Sequence, residues 1–182
     1  MEDLSLHILD IAENSIDAHA ATIRITIEES RRRDILVLEI EDDGRGMTED
    51  QMRKALDPFY TTKTTRRFGF GLSLLSEAAK AASGDFSVRS EPGKGTLVRA
   101  SFQLSHIDAK PLGDIPQTLV TLIMGHPEVD LVYEHRCDDS TYALDTREIK
   151  TQLEGLPINS TQVIGFIRND IKEGLDNVRR QK

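Results

Sequence analysis

Asp10 and Asn14 stand one helical turn apart near the start of the chain, and they are the first residues whose types and spacing suggest chemistry. His7 precedes them by three residues and Asp17 follows by three, so all four line one face of a helix predicted over 4–18. The amide oxygen of Asn14 is a hard, neutral ligand of the kind that magnesium prefers. Asparagine is a poor residue for a helix interior, so a ligand role would explain it, whereas a plain surface asparagine is the alternative.

Asp42 ends a predicted strand, Ile35 to Asp42, and it has the same parity as the apolar residues of that strand. A buried carboxylate costs several kcal/mol unless its hydrogen bonds are satisfied, and the amino group of an adenine would satisfy one of them. Gly44 and Gly46 then allow the backbone to approach a bound base and to turn away sharply. The alternative is an ordinary turn at the end of a strand, with a solvated carboxylate.

Gly69 and Gly71 precede a helix that we predict to begin at Leu72. The N–H groups and the dipole of a helix N-terminus favour an anion such as a triphosphate, although the pattern is neither a Walker A loop nor a dinucleotide fingerprint. The preceding segment, Asp57 to Phe70, carries three cations, Lys63 among them, and has no clean periodicity. We predict that it is a lid ordered by nucleotide. Plain turn glycines and a solvated basic loop are the alternatives.

Three segments resemble the N, G1 and G2 boxes of the ATP-binding fold shared by DNA gyrase B, Hsp90, histidine kinases and MutL, the GHKL or Bergerat fold. They are DIAENSIDA at 10–18, EDDGRGM at 41–47 and RFGFGLSLL at 67–75. The resemblance covers roughly Leu4 to Leu104. It implies an α/β two-layer sandwich with one mixed sheet and helices on one face, which binds ATP together with Mg²⁺.

The resemblance also implies a role for individual residues. The aspartate that matches Asp42 accepts from the adenine amino group, and the asparagine that matches Asn14 holds the metal that bridges the phosphates. Thr96 matches a threonine near the adenine pocket, with a plain strand threonine as the alternative, and Lys63 would reach the phosphates. The implied ATP-binding residues are Asn14, Asp42, Gly44, Gly46, Lys63, Gly69, Gly71, Leu72 and Thr96.

Asp10 departs from the family pattern, because the gyrase, Hsp90 and MutL branches carry at that position a glutamate that acts as the base for the attacking water. Aspartate is shorter by one methylene, so the water would have to move or the base would act less well. The resemblance therefore implies a slow ATPase or a kinase acting on a separate protein. A regulatory module that responds to ATP without using it is the alternative, with Asp10 a solvated helix carboxylate.

The full length resembles stand-alone histidine-kinase-like ATP-binding proteins of anaerobic bacteria, through stretches such as LDPFYTTKTTR, SEPGKGT, HIDAKPLGD and LDTREIK. That group implies an association with a hydrogenase-type redox complex. Residues 1–105 are predicted to form the ATP-binding domain and 106–182 a small α+β extension, because prolines and a glycine break the pattern between Ser105 and Pro116. We expect the extension to bind a protein partner or to mediate homo-oligomerisation; packing on the ATP-binding domain is the alternative.

The composition limits the class of protein. The net charge of -8 argues against nucleic acid as a partner, and no apolar run approaches the ~20 residues of a membrane span. Cys137 is the single cysteine, so no internal disulfide can form and a cytoplasmic location is expected. His7, a lone histidine on the predicted helix, is expected to be a hydrogen-bonded structural residue rather than a catalytic one.

Overall fold

One six-stranded sheet runs through the part of the chain that the computed structural model describes, residues 2–57 and 71–180. The elements in chain order are α1 (Leu4–Asp17), β1 (Thr22–Ser30), β2 (Ile35–Asp42), α2 (Glu49–Leu56), α3 (Gly71–Ala81), β3 (Phe86–Glu91), β4 (Gly95–Gln103), α4 (Ile115–Gly125), β5 (Asp130–Cys137), β6 (Ser140–Asp145), α5 (Thr146–Gln152) and α6 (Thr161–Arg180). The strand order is β3-β4-β2-β1-β5-β6. Only the β1–β5 pair is parallel among these neighbours, so the sheet is mixed.

The two faces of the sheet differ in composition. Ile23, Ile25 and Ile27 of β1 alternate toward the helices and are almost wholly buried. The opposite face carries exposed ion pairs between neighbouring strands, such as Arg24 with Glu41. Because the helices contact one another and the apolar face, the protein is the two-layer α/β sandwich that the sequence predicts.

Backbone groups at the start of α1 and α2 are satisfied by capping contacts. The Asp3 side chain accepts from Leu6 N, while Leu4 N donates to Pro111 O at 2.9 Å and Ser5 N to Leu112 O at 2.8 Å. At α2, Thr48 and Gln51 form a capping box. These contacts fix the start of both helices, and α1 positions Asp10 and Asn14.

The segment beyond residue 105 adds two strands to the same sheet. β5 lies parallel to β1, with Thr22 opposite Asp130, and α4 packs on α1. The segment has the α+β character that the sequence predicts, with the helices α4, α5 and α6 and the β5–β6 hairpin. The domain boundary near residue 105 stays a prediction. The strands before it and the strands after it belong to one sheet. No helix in the described residues is both long enough and apolar enough to cross a membrane.

Candidate functional site

A cavity of about 730 Å³ opens between α1, the end of β2, α2 and the start of α3. Its volume falls within the ~300–1,000 Å³ that is usual for small-molecule sites. Six of the predicted site residues line it: Asn14, Asp42, Gly46, Gly71, Leu72 and Thr96. The fold thus brings predicted residues from α1, β2, α3 and β4 to one cavity. Lys63 and Gly69, like all of the predicted lid after Asp57, lie outside the described residues.

Asp42 is a buried carboxylate at the end of β2, with only 9% of its surface exposed. Ser15 Oγ donates to Asp42 Oδ2 at 2.7 Å, and Gly44 N donates to Oδ1 at 3.0 Å. Ser15 is itself buried on α1. The carboxylate is thus oriented from both sides, and a carboxylate oxygen can accept more than one hydrogen bond, so capacity remains for a donor in the cavity.

The loop after Asp42 is pressed against the β3–β4 hairpin. Gly46 has a φ of +65°, and a Cβ placed on it would lie 2.0 Å from Glu91 O. Only glycine fits both the left-handed backbone and this close approach. Ser90 joins the same region, because its Oγ accepts from Met47 N at 2.8 Å and contacts Thr96 Oγ1 at 2.9 Å. Thr96 is held in this way at the wall of the cavity.

Two serines, the buried Ser15 and the partly buried Ser90, were not among the predicted site residues. Ser15 lies one turn after Ile11 on the buried side of α1, and a serine within an apolar stripe is a signal that a buried polar group needs a partner. Ser90 lies in the stretch SEPGKGT, which was noted above only for its resemblance to a family. Arg45 and Lys54 also line the cavity, and they add cations that the sequence analysis left out.

Asn14 lines the cavity one turn beyond Asp10. No group of three or more His, Cys, Asp or Glu side chains that could hold a metal ion occurs in residues 2–57 and 71–180. A cation at Asn14 would therefore take most of its ligands from waters and from a bound anion, as Mg²⁺ bound to phosphates does. A single neutral amide oxygen fits that arrangement.

Asp10 lies against the beginning of α3. A Cβ placed on Gly71 would come within 1.8 Å of Asp10 Oδ2, so only a glycine allows the carboxylate to approach the helix start. Burial and, to a smaller degree, the negative charge of Glu13 raise the pKa of the Asp10 carboxyl. Asp10 is not among the described residues that line the cavity, and it stands beside the edge formed by Gly71 and Leu72.

His7 differs from its expected state. Its side chain is 1% exposed, and in the described part of the chain neither ring nitrogen has a hydrogen-bond partner. The prediction that it would be hydrogen-bonded is therefore wrong. Burial lowers the pKa of His7 to about 4, with smaller contributions from Lys110 and the N-terminal amine, while Asp3 acts in the opposite direction. The ring is kept neutral and takes no part in the cavity.

Comparison with known proteins identifies a family whose model matches part of this chain. Residues 2–106 match the model of the family described as "Histidine kinase-, DNA gyrase B-, and HSP90-like ATPase". The chain is 36% identical over 110 residues to the sensor protein kinase FleS of Pseudomonas aeruginosa, covering 60% of this chain and 27% of the relative. It is 35% identical over 91 residues to sporulation kinase E of Bacillus subtilis, covering 49% and 12%. The chain therefore spans about a quarter or less of these two relatives.

A solved structure described as the N-terminal domain of a DNA repair protein has a similar fold. The two share a TM-score of 0.57 at 16% identity, over 94% of this chain and 56% of that one. At this identity the likeness shows the fold alone.

Proposed function

Because the chain belongs to the family of histidine kinase-, DNA gyrase B- and HSP90-like ATPases, we propose that it binds Mg-ATP in the cavity beside Asp42. The observation that carries this proposal is the buried carboxylate of Asp42, which is oriented by Ser15 and Gly44 N and has capacity for a further donor. An adenine amino group supplies such a donor. A guanine would present an oxygen at the same place, and two acceptors facing each other in a buried site are unfavourable. The site should therefore prefer ATP to GTP.

The triphosphate is assigned to the edge of the cavity formed by Gly71 and Leu72. These residues begin α3, and the first N–H groups of a helix lack partners within it and attract anions. Asn14 would hold the Mg²⁺, which neutralises phosphate charge when bound. Arg45 and Lys54, on the wall of the same cavity, provide further positive charge within the described residues.

For the reaction we propose slow hydrolysis or transfer of the γ-phosphoryl group to a separate protein. Asp10 would accept the proton of the attacking water or hydroxyl, and the bond between the γ-phosphorus and the bridging oxygen would break to leave ADP. Its raised pKa makes it a stronger base than an exposed aspartate. Its short side chain and its position beside the cavity are reasons to expect a low rate.

The experiment is incubation of the protein with γ-labelled ATP, alone and with a lysate of the source cells. Label released as phosphate would identify an ATPase, and label on another protein would identify a kinase. Asp10→Asn should stop either reaction while leaving nucleotide binding intact. An unchanged rate in that variant would contradict the role given to Asp10.

A second candidate is an ATP-responsive regulatory module that consumes nothing. It is favoured by the position of the Asp10 carboxylate against Gly71 rather than in the cavity wall. Label remaining wholly in ATP under both conditions, together with measurable ATP binding, would support it. The partner proposed for such a module is a hydrogenase-type redox complex, and copurification with that complex would test the association. A reducing, cytoplasmic location is part of the proposal and rests on Cys137 being the single cysteine.

A further inference from the structure

A second cavity, of about 450 Å³, lies at the opposite end of the sheet from the first. Asp42 of the first cavity pairs with Ile23 near the beginning of β1, whereas Glu29 and Leu36 of the second cavity pair with each other near the end of β1. Six residues of strand separate the two ends, which corresponds to roughly 20 Å. The two cavities are therefore separate sites on one sheet.

The second cavity has an apolar floor. Leu4, Leu36 and Phe102, from α1, β2 and β4, form its base and are each at least 96% buried, so the apolar surface that a ligand can reach belongs to the partly buried Leu104 and Leu112. The other wall is the segment 109–113, whose carbonyl groups accept hydrogen bonds from the first N–H groups of α1. Because this backbone is attached to a helix start, the wall is preorganised, and a ligand would not have to order it.

Two cations, Lys110 and Arg179, line the cavity. Arg179, in the last turn of α6, lines the cavity with a side chain that is 42% exposed, and one of its terminal nitrogens lies 3.6 Å from Glu29 Oε1. A guanidinium carries five N–H donors in a planar fork and can bind a carboxylate through two of them at once. One ion pair at this distance leaves Arg179 able to bind a second anion.

Glu29 is held by a chain of buried hydrogen bonds and does not compete for a ligand. His135 Nε2 lies 2.7 Å from Glu29 Oε1, and Tyr133 Oη lies 2.8 Å from His135 Nδ1. With its hydrogen on Nε2, His135 donates to Glu29 and accepts from Tyr133, so each of the three groups has a partner. Burial raises the pKa of Glu29, but the hydrogen bond from His135 and the nearby positive charges outweigh it and lower the pKa. Glu29 is thus a fixed anion that keeps Arg179 in place.

We propose that the second cavity binds a small amphipathic carboxylic acid, with its carboxylate on Arg179 and its apolar chain against the partly buried Leu104 and Leu112. The volume is in the range of small-molecule sites, and the positive edge beside an apolar floor selects for an acid over an amine or a neutral compound. This binding does not depend on the first cavity, so it stands or fails separately from ATP binding.

The test is titration of the full ¹⁵N-labelled chain with sodium octanoate, followed by amide chemical shifts. We expect the largest shifts at residues around Leu104 and Leu112, with no comparable effect of octylammonium chloride. Arg179→Gln should weaken octanoate binding roughly tenfold, the effect of losing a hydrogen-bonded charge. The matched control is Arg180→Gln, since Arg180 is 78% exposed and its partner is Asp176; its affinity should equal that of the wild type.

A second variant tests the proposal independently, in case Arg179→Gln does not fold. Ala109→Phe places a ring in the cavity from its outer wall and should abolish octanoate binding while leaving Arg179 in place. Equal binding of octanoate and octylammonium, an unchanged affinity in both variants, or shifts confined to the first cavity would each overturn the proposal.

Discussion

Ser15 Oγ donates to Oδ2 of Asp42 across 2.7 Å and thereby joins the last turn of α1 to the last residue of β2. The same hydroxyl lies 3.2 Å from Ile11 O, so the shorter bond to the carboxylate is the dominant one. The acceptor assigned to adenine is consequently fixed in place before any nucleotide arrives. Such preorganisation lowers the cost of binding.

Replacing Asp42 by Asn should weaken the binding of a non-hydrolysable ATP analogue by roughly 1.5–3 kcal/mol, the range for hydrogen bonds to charged groups. The control is Glu41→Gln, the neighbouring residue on the opposite face of β2, where the side chain pairs with Arg24. Calorimetric titration of the three proteins provides the measurement. If Asp42→Asn and Glu41→Gln bind equally well, Asp42 is not the adenine acceptor.

Replacing Ser15 by Ala should weaken nucleotide binding by about 1 kcal/mol, because Asp42 loses the donor that orients one of its oxygens. The hydroxyl does not have to touch the nucleotide for this effect. The discriminating readout is the ratio of ATP to GTP affinity, which should fall as the carboxylate becomes free to rotate. A variant that loses stability but keeps this ratio would show that Ser15 is only structural.

Gly46→Ala should disrupt the site more than Gly93→Ala, although both glycines have positive φ values, of +65° and +78°. A Cβ at Gly46 would collide with Glu91 O, whereas at Gly93 nothing lies within 4 Å. Each variant should lose about 1–3 kcal/mol of stability from backbone strain, but only Gly46→Ala should also shift the loop and reduce nucleotide affinity. Thermal unfolding and titration of both would separate the two effects, and equal affinities would contradict the close contact.

Asp10→Asn should stabilise the fold near neutral pH. Because the pKa of Asp10 is raised in the folded protein, the folded state disfavours the ionised form, and this penalty is fully present above the raised pKa and disappears as pH falls below the ordinary aspartate range. The gain in unfolding free energy should therefore shrink as the pH is lowered. Urea unfolding at several pH values measures it, and a gain that grew on acidification would contradict the direction of the shift.

The wild type should lose stability on acidification through His7. The pKa of His7 is lowered to about 4, so the unfolded chain takes up the proton first, and stability is lost as the pH falls from about 6.5 to 4. The full effect is roughly 3 kcal/mol. His7→Leu should flatten this part of the pH profile of urea unfolding and also raise stability at pH 7, since it removes an unpaired buried polar group. A variant with the slope of the wild type would show that other groups cause the loss.

Local patterns predicted much of the site. Strand alternation put Asp42 on the buried face, and helical spacing put Asn14 on the face that lines the cavity, because both depend on a fixed repeat of the backbone. Contacts between distant segments could not be deduced in this way. The Ser15–Asp42 bond, the approach of Asp10 to Gly71 and the burial of His7 each require the packing of whole elements.

The end of α3 shows the same limit at a smaller scale. A glycine just after a helix commonly supplies the left-handed residue, but at the end of α3 Ser83, not Gly84, takes that conformation, with a φ of +54°. Gly84 is needed for another reason, because a Cβ on it would lie 1.8 Å from Ser101 O of β4. The sequence shows a glycine at the end of the helix, but the reason it is needed, the close approach of β4, depends on the packing of the fold.

The parallel β1–β5 pair has a consequence for how the chain is made. β1 ends at Ser30, but its partner is complete only at Cys137. At ~5–20 residues per second, a ribosome takes roughly 5–20 s to synthesise the intervening segment. Throughout that time one edge of β1 has no partner strand and can pair with other chains. The surface of α1 that α4 later covers is also exposed. Nascent chains of this protein should therefore be sensitive to aggregation and to chaperone supply until residue 137 has emerged.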